Sequence, residues 1–397
     1  MIKNLTQLQV NNKRVLVRVD YNVPVKDGVI QSDLRMVESL STIKYLLNSG
    51  AKVILCSHFG RPEGKFNEKY SLKPIFNHLQ ELLPNVKMYF CEDILSNETL
   101  NLTNQMNPGE LCLLENVRFY EGEEKNSEDF VDALAKLADL FVFDAFGSAH
   151  RKHASTVGVA YKLPSAVGFL VNKELVAFDK VLNNPKKPVV AILGGAKIND
   201  KIGLIENLLN KVDTILIGGG MCFTFLKALK AKIGKSIVDD SKLDVAYNII
   251  KKAIDKKVEI VLPKDFVCAK DINDNNIELY NVGEIPDDMM GLDIGPKTVK
   301  LFAKKIKKAK TIIWNGPLGA YESENFENGT NMIAYNVAKN KKCYSVVGGG
   351  DVVSALQQSG YAEFISHIST GGGAGLKLLE GKSLFAITAI ENSKTNQ

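Results

Sequence analysis

The 397-residue chain is long for one hydrophobic core, and its length predicts two or three domains. Apolar residues at 45% and charged residues at 24% give an ordinary globular profile, and a net charge of +5 without a basic run or aromatic–basic interleaving argues against nucleic acid as a partner. No apolar segment reaches the roughly 18 residues of a membrane span, no signal peptide is visible, and six scattered cysteines without a CxxC pair predict buried, reduced thiols and a cytoplasmic location.

In chain order, RVLVRV (14–19), KVILCS (52–57), LCLL (111–114) and LFVF (140–143) predict buried strands. Between them, LRMVESLSTIKYLLNSG and SEDFVDALAKLADL place apolar residues at helical spacing. Alternation of strand and helix implies a parallel sheet covered on both faces. SAVGFLVNKELVAFDKVL (165–182) predicts one long helix, stopped by Asn183-Asn184-Pro185. The strand pattern then returns in VVAIL (189–193), TILI (214–217), EIVL (259–262), TIIW (311–314) and YSVV (344–347). The expected fold is α/β: two doubly wound parallel-sheet domains, 1–164 and 186–370, joined by a linker helix over 165–185, with a cleft between them.

Open α/β sheets bind ligands outside the carboxyl ends of their strands. In the first half these ends read Arg18-Val19-Asp20-Tyr21-Asn22, Ser57-His58-Phe59-Gly60-Arg61, Glu115-Asn116-Val117-Arg118 and Asp144 through Arg151. The chain has 44 lysines but only six arginines, and four of the six fall at these ends, while Arg35 opens the first helix. Guanidiniums, His58 and His150 converging on one edge describe a site for a small, multiply charged anion such as a phosphorylated carboxylic acid.

The second-half strand ends carry glycines: Gly194-Gly195, Gly218-Gly219-Gly220, Asn315-Gly316-Pro317 and Gly348-Gly349-Gly350, with a further triplet at Gly371-Gly372-Gly373. Glycines between strand and helix let backbone amides approach phosphates, though any single pair is equally a tight turn. Asp351 suits a Mg²⁺–phosphate contact or a plain helix cap. Lys197 and Lys201, four apart, would share one helix face, as phosphate ligands or as a solvated pair. Neither GxxxxGK[ST] nor a strand-following GxGxxG occurs, which leaves Walker-type NTPases and dinucleotide dehydrogenases unsupported.

RVDYNVP, SHFGRP, ENVRF, DAFGSAHRKHAS, GGAKINDK, GGGMCFTFL, MGLDIGP, WNGPLGAYE, VVGGGD and STGGGA occur in the order found in phosphoglycerate kinases, and the chain resembles that family over nearly its whole length. The resemblance implies reversible phosphoryl transfer from 1,3-bisphosphoglycerate to ADP, giving ATP and 3-phosphoglycerate, by direct in-line transfer after domain closure. It implies that Asp20, Asn22, Arg35, His58, Phe59, Gly60, Arg61, Arg118 and Arg151 bind the glycerate. Lys197, Lys201, Gly219, Gly295, Pro317, Glu322, Gly349, Gly350, Asp351 and Val352 are implied for the nucleotide, with Glu322 at the ribose and Asp351 at Mg²⁺. Arg35 and Lys197 with the amides of Gly372 and Gly373 are implied to stabilise the group in flight. It further implies a monomer, partners limited to these small molecules, and a segment 371–397 that returns to the first domain.

The sequence departs from the family pattern at several positions. Val352 stands where Ser or Thr is usual, Ser41 replaces a usual Pro, and Gly375 and Lys377 stand where Ser and Glu are common. The polar tail past Ile390 is expected to fray. A non-catalytic or decayed anion-binding relative is the alternative reading.

Overall fold

The computed structural model describes residues 2–26 and 29–393, so the last four residues of the tail lie outside the described residues. Two compact units form: one from the start to Leu175 together with Ser383 onward, the other from Val176 to Lys382.

The first unit is built on a six-stranded sheet ordered Met88–Cys91, Leu111–Leu114, Lys52–Cys56, Arg14–Val19, Leu140–Asp144 and Ser165–Val167. Every pairing in it is parallel. Its central strands are buried along nearly their whole length, as helices on both faces require. Val15, Val17 and Val19 pack into a core with Met36, Ile43 and Leu46 of the helix Leu34–Asn48 and with Ile75 and Leu79 of the helix Lys73–Leu82. Alternation puts Leu16 and Arg18 on the opposite face.

The second unit carries another six-stranded parallel sheet, ordered Glu259–Val261, Thr214–Ile217, Val189–Leu193, Thr311–Asn315, Tyr344–Gly348 and His367–Ile368. Trp314, fully buried, packs there with Ile192, Leu216, Phe302 and Val352. A separate antiparallel sheet, Glu278–Asn281, Asp265–Ala269 and Met290–Ile294, is not expected from the sequence pattern.

The helix expected over 165–182 begins at Phe169, because Ser165–Val167 pairs with Leu140–Asp144 as the edge strand of the first sheet. The glycine segment from Gly371 to Lys382 belongs to the second unit, and the chain rejoins the first unit only at Ser383. Both sheets reverse their winding at a central pair: Arg14–Val19 beside Leu140–Asp144 in the first, and Val189–Leu193 beside Thr311–Asn315 in the second. The carboxyl ends of such pairs open the crevices in which α/β sheets hold ligands.

Candidate functional site

At the first crevice, hydrogen bonds link most of the residues expected there. Arg35 Nη1 donates at 3.1 Å to Asp20 Oδ2 and at 3.1 Å to the carbonyl of Asn22. The Asn22 side-chain oxygen accepts from the Gly60 amide at 3.0 Å, and the Gly60 carbonyl accepts from Arg118 Nη1 at 2.8 Å. Arg118 Nε lies 3.1 Å from Glu124 Oε1, an ion pair by distance only, since the N–H is not aimed at the carboxylate. Arg61 is exposed and Arg151 half-buried, and neither guanidinium forms an ion pair among the described residues. Cationic groups with unspent donors, beside a paired aspartate, suit a polyanion.

Asn116, to which the sequence pattern assigns no role, fastens this edge together. Its oxygen accepts from the amides of Phe59 (3.2 Å) and Arg118 (3.0 Å), and its NH₂ donates to the carbonyls of Phe59 (2.7 Å) and Tyr70 (2.9 Å). Glu115 holds the same turn from below, accepting from Ser71 Oγ, the Leu72 amide and the Asn116 amide. Phe59 is therefore placed by its backbone, and its half-buried ring packs on the core.

Arg18, grouped by sequence with the converging guanidiniums, is instead buried at 1% exposure beneath the site. It serves Ser155, the Val19 carbonyl and His58. Burial, then the charges of Arg18, Arg151 and Arg35 and the His153 imidazole, hold the His58 pKa well below its ordinary value. The same burial, with Arg18 next, pushes His153 down to about 4.

In the second unit a cavity of about 570 Å³ opens at the second crevice. Gly195, Gly219, Gly220, Pro317, Glu322 and Asp351 contribute to its lining, and Phe223, Phe266, Ile272, Met290 and Leu292 give it apolar surface. The antiparallel sheet thus contributes to that apolar lining through Phe266, Met290 and Leu292. Its size and mixed lining suit a nucleotide-sized ligand.

Lys197, Lys201, Gly295, Gly349, Gly350 and Val352 lie off that lining. Lys197 is exposed in a loop, and Lys201 ends the short 3₁₀ turn Asn199–Lys201, so the two do not share a helix face. Lys201 Nζ donates to Asn315 Oδ1, and Asn315 Nδ2 donates to the Gly348 carbonyl at 2.6 Å. Burial lowers the Lys201 pKa, against the opposing pull of Asp200, Asp351 and Glu380. This lysine therefore sits by the Gly348–Asp351 loop, anchored by an asparagine that in sequence reads only as a turn residue. Gly295 is buried against the Asp265 carboxylate at the start of the helix Pro296–Lys308.

The helix Gly350–Gln358 is capped by Gly349, so Asp351 is a first-turn residue and not the cap. The Val352 side chain is wholly buried in the core and presents nothing to a ligand. Gly372 caps the short helix Gly373–Leu379, and the Gly371 amide is taken by Ser369 Oγ at 3.1 Å. A side chain at Gly375 would place its Cβ 3.0 Å from the Phe178 ring, so any larger residue there requires that ring to give by a few tenths of an ångström. For Mg²⁺, no group of three His, Cys, Asp or Glu among the described residues could hold an ion unaided. The exposed Asp351 carboxylate suits an ion whose other ligands are phosphate oxygens and water.

Comparison with known proteins bears on the family and the fold. The sequence profile of the phosphoglycerate kinase family matches residues 5–382. The chain is 50% identical to the phosphoglycerate kinase of Finegoldia magna over 391 residues, covering 98% of this chain and 99% of that one. It is 52% identical to the enzyme of Deinococcus radiodurans, covering 98% and 94%. Among solved structures, the phosphoglycerate kinase of Coxiella burnetii superposes with a TM-score of 0.91 at 40% identity, covering 99% of each chain. That of Pyrococcus horikoshii gives 0.82 at 32%, covering 98% of each.

Proposed function

The chain belongs to the phosphoglycerate kinase family, glycolytic phosphotransferases with a carboxyl group as acceptor, and we propose that each unit holds one of its two substrates. The cluster of Asp20, Asn22, Arg35, His58, Phe59, Gly60, Arg61, Arg118 and Arg151 takes 3-phosphoglycerate or 1,3-bisphosphoglycerate. The cavity lined by Gly219, Pro317 and Glu322, with Lys197, Lys201, Gly295 and the Gly349–Val352 loop beside it, takes ADP or ATP. Val352 contributes only backbone there, because its side chain is core.

The chemistry needs little from the protein beyond position and charge. The acyl phosphate leaves as a carboxylate and requires no proton, so a general base has no task. In this reading Arg35 and Lys197 would neutralise charge on the transferred group, with the Gly372 and Gly373 amides as further donors. Asp351 would hold Mg²⁺ through the nucleotide, and that ion, when bound, neutralises phosphate charge. Direct transfer requires the two ligands to meet, so closure of the units is part of the proposal. Small-angle scattering that shows no compaction with both ligands present would count against closure.

A monomer acting in the cytoplasm completes the reading. Among the described residues no helix is long and apolar enough to cross a membrane, and five of the six cysteines are buried.

The observation that carries the proposal is the half-exposed guanidinium of Arg35, fixed by Asp20 and Asn22 with donors to spare. A coupled assay with 3-phosphoglycerate, MgATP and excess glyceraldehyde-3-phosphate dehydrogenase with NADH tests it. Turnover in the wild type that collapses in Arg35→Ala is expected. Absence of turnover, with calorimetry still showing 3-phosphoglycerate bound, would favour a decayed binding relative.

A further inference from the structure

A guanidinium faces one nitrogen of the His58 ring, and this decides where the ring's proton sits. Arg18 Nη2 lies 3.1 Å from His58 Nδ1. Guanidinium nitrogens only donate, so Nδ1 accepts, and a neutral imidazole whose Nδ1 accepts carries its hydrogen on Nε2. Arg18 has no freedom to turn away and admit a proton at Nδ1. Its Nε donates to Ser155 Oγ at 2.8 Å and its Nη1 to the Val19 carbonyl. Ser155 is fixed in turn, its Oγ donating to Glu123 Oε1 at 2.7 Å and its amide to Glu123 Oε2 at 2.9 Å. Arg18, Ser155 and Glu123 are all buried.

We infer that Glu123, Ser155 and Arg18 form a buried relay that sets His58 as a neutral Nε2–H tautomer, so that His58 offers the anion site a hydrogen-bond donor without a charge. The three are positioning residues, and none of them touches substrate in this scheme. What His58 donates to rests on the reading of the basic cluster as the glycerate site; which nitrogen carries its proton does not.

The surroundings of the ring favour the same state. Arg18, Arg151 and Arg35 face it with positive charge, and His153 faces it with an imidazole whose pKa is held down by burial, then by Arg18 and Arg151. Asp20, the acid of the basic cluster, is already paired with Arg35. Glu123 is spent on Ser155, with His153 Nδ1 3.7 Å from its Oε1. A second proton on His58 would set an N–H against the Arg18 N–H in a buried space. The arrangement also suits the task. The glycerate already meets several fixed cations, and a neutral donor adds direction without further buried repulsion.

The test begins on the unaltered protein without ligand. Long-range ¹⁵N–¹H spectra, with His58 assigned through His58→Gln, are expected to show an unprotonated Nδ1 and a protonated Nε2. That pattern should hold from about pH 8 to about pH 5.5, where an exposed histidine has largely charged. A proton on Nδ1, or titration of His58 within that range, overturns the inference.

The relay is tested by Arg18→Met combined with Glu123→Gln, which avoids leaving a buried charge alone, and by Ser155→Ala beside Ser155→Thr. Loss of the single tautomer is expected in the double variant and in Ser155→Ala, with retention in Ser155→Thr. The double variant should also raise KM for 3-phosphoglycerate more than it lowers kcat, and increasingly so at acid pH. An unchanged tautomer signature in a folded double variant overturns the relay; should that variant not fold, the wild-type spectra still decide. Finally, 3-phosphoglycerate should shift the His58 Nε2–H resonance. The predicted tautomer without that shift would leave the relay standing and sink the reading of this cluster as the glycerate site.

Discussion

Arg35 Nη1 lies 3.1 Å from Asp20 Oδ2 in a pair whose carboxylate is 10% exposed and whose guanidinium side chain is 38% exposed. The aspartate therefore aims the arginine and leaves one side of the fork open. Asp20→Asn keeps the shape and removes the charge. The expected result is a loss in kcat/KM for 3-phosphoglycerate of about 10- to 100-fold, the worth of one charge-assisted hydrogen bond. Stability should change by less than about 1 kcal/mol, because the pair is partly exposed. Steady-state kinetics and urea midpoints check both, and a variant that loses stability but keeps its kinetics would contradict the aiming role.

Two adjacent glycines separate packing from strain at the second crevice. The Gly194 amide donates to the Asn315 carbonyl at 3.0 Å, and a Cβ on Gly194 would overlap the Pro317 carbonyl oxygen, a backbone atom with no room to retreat. Gly195 has open space around it but a φ of +100°. Gly194→Ala is expected to cost about 3 kcal/mol or more, as overpacking against backbone does. Gly195→Ala should cost only the left-handed penalty of about 1–2 kcal/mol. The single tryptophan, Trp314, is fully buried in this unit, so its fluorescence in urea reads both. Equal losses would mean that the Pro317 contact is not what requires Gly194.

The contrast between these two glycines is not visible in sequence, although the strand-end loops that contain them are. Buried parallel strands announce themselves as apolar runs, and the residues just past each run belong at a crevice by the logic of the fold alone. Side-chain direction is not legible in the same way. Arg18 reads as one more strand-end arginine, yet alternation along Arg14–Val19 turns it away from the Val15, Val17 and Val19 face and into a buried pocket. The Lys197–Lys201 spacing reads as a helix face, but the chain bends through a loop and a 3₁₀ turn first. The antiparallel sheet escapes the pattern because Glu278–Asn281 has no buried residue, and because Ala269 and Glu278 are bridged by a polar Asp- and Asn-rich loop with no periodicity. Ser165–Val167 is absorbed into a helical pattern that its apolar residues extend without a break.

Val352 likewise points its side chain away from the loop that its sequence position suggests. Its side chain packs with Val347, Leu356 and Ile365 in the second-unit core, so a hydroxyl at this position would face that core and not a ligand surface. Val352→Thr should leave KM for MgATP within about twofold. The buried hydroxyl should instead lower the urea stability by about 1–3 kcal/mol, unless it finds a carbonyl partner. A clear tightening of nucleotide binding would show that this position reaches the phosphates after all.

Asp144 predicts how stability follows pH. Burial raises its pKa to about 7, only partly opposed by the Thr42 hydroxyl and the amides of Val171 and Leu170, and the Glu38 charge pushes the same way as burial. The unfolded chain returns this group to the ordinary carboxylate value of about 4. The folded state therefore binds the proton more tightly, and the stability it contributes is complete below about pH 4 and lost as pH rises through about 7. Asp293, also raised to about 7 by burial, adds a slope of the same sign in the second unit. Urea midpoints between about pH 5.5 and about pH 8 should thus fall for the wild type, with the Asp144 share reaching at most about 1.4 kcal/mol per pH unit. Asp144→Asn should flatten part of that fall and leave the Asp293 part. Parallel falls in wild type and variant would mean that Asp144 is charged in the folded protein across the whole range, with a neutralising contact that burial alone does not supply.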